Sequence, residues 1–228
     1  MKHAGRARKA AFKLILISLI AVLVIIGIAF AAAFIGTALA AITPLLLILW
    51  LVFAIFTLYF FRDPTPTIPP GAKLVLSPAH GKVDVVDTTT EAQFMGGECR
   101  RISMFLSVVN VHVQNAPVGG RVTFFKYSIG EFMNAIRSEC ALCNENLLLG
   151  FESAEAGGVK IGLRLIAGVI ARRIVPFVKL GDEVARGERI SLIQFGSRAD
   201  IYLPMSAKIA VKLGDRVVGG QTVLAQFE

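Results

Sequence analysis

Val178-Lys-Leu-Gly-Asp-Glu-Val-Ala-Arg-Gly187 returns, 33 residues further on, as Val211-Lys-Leu-Gly-Asp-Arg-Val-Val-Gly-Gly220. Gly-Asp ahead of a valine, with glycine again before the next apolar run, is a tight-turn device that joins short strands. Neither half-unit can bury its apolar side alone, so the two are expected to pack face to face as a small sandwich. Outward from the repeat, short β-branched runs alternate with glycine punctuation at 73–76, 82–86, 101–106, 110–113, 121–126, 158–167 and 190–195. That spacing predicts a compact, mainly β domain over 73–228, with 129–146 as a helical or irregular insertion.

The doubled unit resembles the biotinyl and lipoyl carrier fold, a barrel-sandwich hybrid. Carrier function does not follow, because such carriers hold their modifiable lysine at a hairpin tip between the repeats, and Phe195-Gly-Ser-Arg198 fills that interval here.

Ahead of the β domain the composition changes character. Residues 1–13 form a basic tail with Lys2, Arg6, Arg8, Lys9 and Lys13 and no acid, and 14–61 carries no charge at all. A membrane helix needs about 20 apolar residues, so this run suits two spans. A turn at 36–44 gives helices near 14–35 and 45–61, with Trp50 in mid-span. A cleaved signal peptide would have a far shorter apolar core. The basic start should stay in the cytoplasm and the hairpin should bring the chain back there at Arg62, which puts the β domain on the cytoplasmic side of the cell membrane. The proline-rich connector 62–72 is expected to be stiff and extended.

Net charge is +8, but outside the tail only 19 basic residues face 16 acidic ones. That balance is too mild for a nucleic-acid partner, and a basic tail beside a membrane span fits anionic lipid headgroups. Cys99, Cys140 and Cys143 are an odd set in a reducing compartment, so no disulfide framework is expected. Cys140-Ala-Leu-Cys143 has metal-ligand spacing without a second pair, and no metal site is expected.

Within Ser191-Leu-Ile-Gln-Phe-Gly-Ser-Arg-Ala-Asp-Ile-Tyr-Leu-Pro204, the pair Gly196-Ser197 interrupts a strand-like apolar run. Serine after the one residue without a Cβ can turn its hydroxyl onto the preceding carbonyl with little steric resistance. A bulge or kink is the ordinary explanation of a bare Gly-Ser, and only its surroundings change that.

Those surroundings are Phe61-Arg-Asp-Pro64, Leu76-Ser-Pro-Ala-His-Gly-Lys-Val83, Phe105-Leu-Ser-Val-Val-Asn-Val-His-Val-Gln-Asn-Ala-Pro117 and Phe195-Gly-Ser-Arg198. Together, and in this order, they resemble the phosphatidylserine decarboxylases, specifically the short type with a membrane hairpin. The resemblance implies a proenzyme that cuts itself between Gly196 and Ser197. It leaves a β chain and an α chain, the latter headed by a pyruvoyl group made from Ser197. That ketone can capture a primary amine as a Schiff base and act as an electron sink, so no dissociable cofactor is needed. The implied reaction removes CO₂ from phosphatidylserine to give phosphatidylethanolamine. The rival readings are a pyruvoyl decarboxylase of another amino-lipid or amino acid, and an uncut membrane-anchored adaptor. Assembly into a homo-oligomer is compatible with either.

His112, in a Val-His-Val setting, is the expected acid or base for self-cleavage and for reprotonation. His80 stands where the family usually has aspartate, and imidazole can replace that base. Asp84, four residues on, would share its strand face and orient it. The family tends to have proline at 108 and Asn-Arg at 114 and 115, where this chain has Val108, Gln114 and Asn115. Arg198 is the expected substitute for that arginine toward an anionic headgroup. Glu145, in Asn144-Glu-Asn146, resembles a family segment bordering the pocket, although an exposed loop reads as well. Phe94-Met95 and Phe124-Phe125 are read either as a lip toward lipid or as core.

Overall fold

The computed structural model describes residues 5–31, 37–131, 143–168, 173–194 and 197–227. The chain divides into Gly5–Asp63 and a larger unit that contains Pro64–Glu228.

In the first unit, α1 (Arg6–Ala31) and α2 (Thr37–Phe60) pack against each other. Each contains a stretch long and apolar enough to cross a bilayer, Arg6–Phe30 and Ile42–Phe60. The indole N–H of Trp50 would be stranded in an apolar medium, and it donates to Ser18 Oγ at 2.9 Å. α2 runs straight through Pro44, which was expected in the turn. Proline removes one N–H donor and crowds the carbonyl one turn back, and apolar membrane-type helices accommodate it.

In the larger unit the strands are β1 (Leu74–Leu76), β2 (Gly81–Glu91), β3 (Gly97–Leu106), β4 (Val113–Asn115), β5 (Gly120–Ser128), β6 (Asn146–Ser153) and β7 (Lys160–Ala167). They continue as β8 (Arg173–Pro176), β9 (Glu183–Val184), β10 (Arg189–Gln194), β11 (Ser197–Leu203), β12 (Lys208–Ile209), β13 (Arg216–Val217) and β14 (Val223–Gln226). The domain is mainly β. Its large sheet has the order β13-β2-β3-β11-β7-β6-β5-β9, and two small sheets, β1-β14-β12 and β4-β10-β8, accompany it.

The sequence repeat explains the two edges. β9 pairs with the start of β5 and β13 with the start of β2. In each copy a lysine N–H is held by an aspartate, Lys179 by Asp182 and Lys212 by Asp215, both at 3.0 Å. Gly181 and Gly214 sit at φ +90° and +94°, where a side chain would be strained. Each donates its N–H at 2.8 Å to a valine carbonyl of the neighbouring strand, Val122 and Val83 respectively. The repeat therefore closes both ends of one sheet, and the strands that follow it, β10 and β14, form the centres of the two small sheets.

Alternation along β11 sets the faces. Ala199, Ile201 and Leu203 join Ile102, Met104 and Leu163 in the main core, each side chain contributing about 1.5–3 kcal/mol for the larger ones. The opposite face is covered in part by Phe94 and Met95, packed with Phe124, Cys99, Leu148 and Tyr202. Phe94 and Phe124, both half-buried, lie 5.6 Å apart between ring centroids and pack against this cluster. Most of the insertion expected at 129–146, including Cys140, lies outside the described residues, and its last residue begins β6. The run expected at 110–113 becomes strand only at Val113: Asn110 closes a turn, its N–H bonding back to Ser107 O at 2.9 Å, and 111–112 are irregular.

Candidate active site

Ser197 opens β11, a central strand of the large sheet, paired with Leu106 on one side and Ala167 on the other. It is fully buried on the core face, and its Oγ has no hydrogen-bond partner among the described residues. A hydroxyl left so costs about 1–3 kcal/mol; the buried hydroxyls of Ser103 and Ser191 are left likewise, and Ser197 differs from them in standing at the head of its strand. Gly196 lies outside the described residues.

Further described segments reach this end of the sheet. Gly81, at the start of β2, lies against Phe105 and Leu106 of β3, so His80 just before it sits at the same strand end. His80 is half-buried and shares the space above Gly219 with Asn115. A Cβ at 219 would lie 3.1 Å from the His80 ring and 2.9 Å from Asn115 Oδ1. Two positions that depart from the family pattern are thus neighbours, and Asn115 is itself held by Gly187 O at 2.9 Å.

His112 is fully buried just ahead of β4. Its Nδ1 lies 2.9 Å from Asn110 O. A carbonyl can only accept, which puts the proton on Nδ1 and makes Nε2 the basic nitrogen. The His112 carbonyl accepts from Ile193 N–H at 3.1 Å and from Gln114 Nε2 at 2.7 Å, which ties the residue to the strand that leads into Ser197. Gln114 is a positioning contact that the sequence alone did not disclose.

Glu145 is buried rather than on an exposed loop, and Ala167 N–H donates to its carbonyl at 2.9 Å. Its carboxylate accepts from the Tyr127 hydroxyl. Burial, and then that bond, push the Tyr127 phenol up to about 12. Asn144 Nδ2 donates to Ala167 O at 2.7 Å, so this segment braces the strand beside Ser197.

Arg198 and Asp84 lie on the other face of the sheet. Arg198 is fully buried, with Nη1 2.6 Å from Asp84 Oδ2 and Nε 3.0 Å from Asp200 Oδ1. Two carboxylates thus neutralise the guanidinium expected to face a headgroup anion. Burial raises the Asp84 carboxyl above its usual range, and Arg198 opposes that shift. Asp200 was legible in principle, as an opposite charge two residues along one strand face.

The orphaned Ser197 hydroxyl fits a residue that is consumed to make a prosthetic group in place, since no separate binding cradle is then required. Comparison with known proteins agrees with the motifs. The phosphatidylserine decarboxylase family model matches residues 53–225. A phosphatidylserine decarboxylase proenzyme of Desulfotalea psychrophila is 42% identical over 183 residues, covering 80% of this chain and 85% of the relative. The proenzyme of Symbiobacterium thermophilum is 41% identical over 174 residues, 76% of this chain and 80% of the relative. That of Ruegeria pomeroyi is 39% identical over 199 residues, 83% and 90%.

Proposed function

The chain belongs to the phosphatidylserine decarboxylase family and is a carboxy-lyase, and on that premise we propose that Ser197 is the residue from which it makes its pyruvoyl group. Ser197 Oγ attacks the Gly196 carbonyl, its proton passing to an imidazole, and the tetrahedral adduct collapses to an ester as the Ser197 nitrogen leaves as an amine. Loss of the residue 197 Cα proton expels the Gly196 carboxylate and leaves dehydroalanine. Water then displaces ammonia from its imine tautomer. The pyruvoyl group so formed supplies an electrophilic carbonyl that captures the substrate amine and takes up the electron pair freed as CO₂ departs.

The remaining tasks fall to this chain's own side chains. His112, with Nε2 as its basic nitrogen, moves protons at the Ser197 end of the sheet. His80 takes the part of the family's aspartate, with Asn115 across Gly219. Glu145, through Tyr127, and Asn144 hold the neighbouring strand. Asp84 and Arg198 act from behind by fixing β11 in register, so that the new N-terminus stays in place after the cut. The doubled edge units support the finer reading of the fold as a barrel-sandwich hybrid. The basic tail and the charge-free segment 14–61 support a hairpin anchor with the catalytic unit on the cytoplasmic side.

The observation that carries this reading is a fully buried, unpartnered serine hydroxyl at the head of a central strand. Purified protein in bilayers containing phosphatidylserine with a labelled carboxyl should release labelled CO₂ and accumulate phosphatidylethanolamine, and Ser197→Ala should do neither. Undiminished CO₂ release by Ser197→Ala would overturn it.

A further inference from the structure

Leu106, the partner of Ser197 and the last residue of β3, leads directly into a four-residue turn. The turn is closed by Asn110 N–H to Ser107 O at 2.9 Å. The Asn110 side chain clamps it a second time, its Oδ1 accepting from Ser107 N–H at 2.9 Å and from Ser107 Oγ at 2.8 Å. Such a turn is rigid, and its two central positions are those where glycine, proline, asparagine, aspartate and serine dominate. Here they are Val108 and Val109, exposed at 39% and 54%.

Two adjacent β-branched residues at a turn tip are unfavourable for the turn and add nothing to the core, so folding does not account for them. Ile129 is 91% exposed. It follows Ser128, which pairs with Asn146, so it stands at the level of Glu145 and hence at the same strand end as Ser197. Exposed cations flank this end: Lys82, paired with Phe105 of β3, and Arg173, paired with Gln194 at the end of β10. Apolar tips flanked by two cations match an anionic bilayer surface, where valines enter the acyl boundary and lysine and arginine meet headgroups; the exposed Glu131, bonded through its backbone to Glu145, also lies at this end.

We propose that this end of the catalytic unit docks into the bilayer, with the Val108-Val109 turn and Ile129 as its wedge, so that Ser197 faces the headgroup plane. The proposal rests on the lipid-decarboxylase reading and adds to the helical anchor a second, residue-specific membrane contact. Its occupant is lipid. A second copy of the chain would need a complementary apolar face, and cations would meet cations across it.

The test uses the full chain in vesicles of phosphatidylcholine and phosphatidylserine. In Val109→Trp made on a Trp50→Phe background, which removes the chain's one native indole, the indole introduced at the turn should be quenched by lipids brominated in the upper acyl chain and protected from aqueous iodide. The double variant Val108→Asp, Val109→Asn carries better turn formers, so it should fold and process normally. It should lose about tenfold in turnover of bilayer phosphatidylserine, the effect of withdrawing two partly inserted valines. Turnover of a short-chain, monomeric phosphatidylserine should be unchanged. Iodide quenching without bromolipid quenching, or protection that arises only from contact with a second copy, would overturn the docking. So would equal loss on both substrates. Wild-type protein that fails on both substrates would refute the decarboxylase reading instead, and the quenching would still decide where the turn lies.

Discussion

The corner Ser77-Pro-Ala-His-Gly-Lys-Val83 and the corner Ala116-Pro-Val-Gly-Gly-Arg-Val122 are folded alike and carry different side chains. Each receives one copy of the repeat by matching bonds: Gly220 N–H to Ser77 O and Gly187 N–H to Ala116 O, both at 2.8 Å, then Val83 and Val122 N–H to the carbonyls of Asp215 and Asp182, both at 2.9 Å. Each is followed by a bulge, at Asp84 in β2 and at Thr123 in β5. Where the second corner has Gly119 and Thr123, the first has His80 and Asp84. The backbone needs proline, glycine and valine. An imidazole and a carboxylate are additions to that frame: His80 stands at the strand end that leads to Ser197, and Asp84 reaches Arg198 on the opposite face.

Breaking what the corners share should have the largest effect. A Cβ at Gly81 would lie 2.5 Å from Phe105 O, and at Gly120, with φ +152°, it would collide with Glu152 O. Gly81→Ala and Gly120→Ala should each cost about 3 kcal/mol, read as loss of folded protein in thermal melts. Tolerance of either would mean the corners are not equivalent.

Exchanging what they do not share should spare the fold. His80→Gly gives the first corner the residue of the second. It should melt within a few degrees of wild type and slow self-cleavage by about 10²-fold or more. Normal processing on a gel would remove His80 from the chemistry.

The smallest effect is expected at Asp84→Thr, which leaves Arg198 with Asp200 alone. Burial holds the Asp84 carboxyl above 3.8, so the folded chain keeps that proton more tightly than the unfolded one. Stability from this group is present at low pH and is lost as pH rises through the raised value. The wild type should therefore gain on Asp84→Thr as pH falls from 7 toward 4, by about 1 kcal/mol at most. A gap that moves the other way in paired melts would contradict the sign.

Much of this was legible because it is local. The runs at 82–86, 101–106 and 121–126 became β2, β3 and β5, and the repeat announced the edge units. β6 was not, because Leu147, Leu148 and Leu149 are buried on both faces and so show no alternation. The kinship of the two corners was missed because they share three residues in seven, and the bonds that match them run to distant strands. Arg198 was read as a headgroup ligand in place of the arginine that the family tends to have at 115. Its carboxylate from β2 is 114 residues away in the chain, and only the register brings them together. Gly196 and Ser197 were found from their neighbours in sequence, while the orphaned hydroxyl that supports the choice is a property of packing.

The intact mass of the protein extracted from membranes tests the central claim most directly. Two fragments divided between Gly196 and Ser197, the smaller with a blocked N-terminus, are predicted. One unbroken chain with an ordinary serine at 197, in material that is folded and membrane-bound, would contradict it.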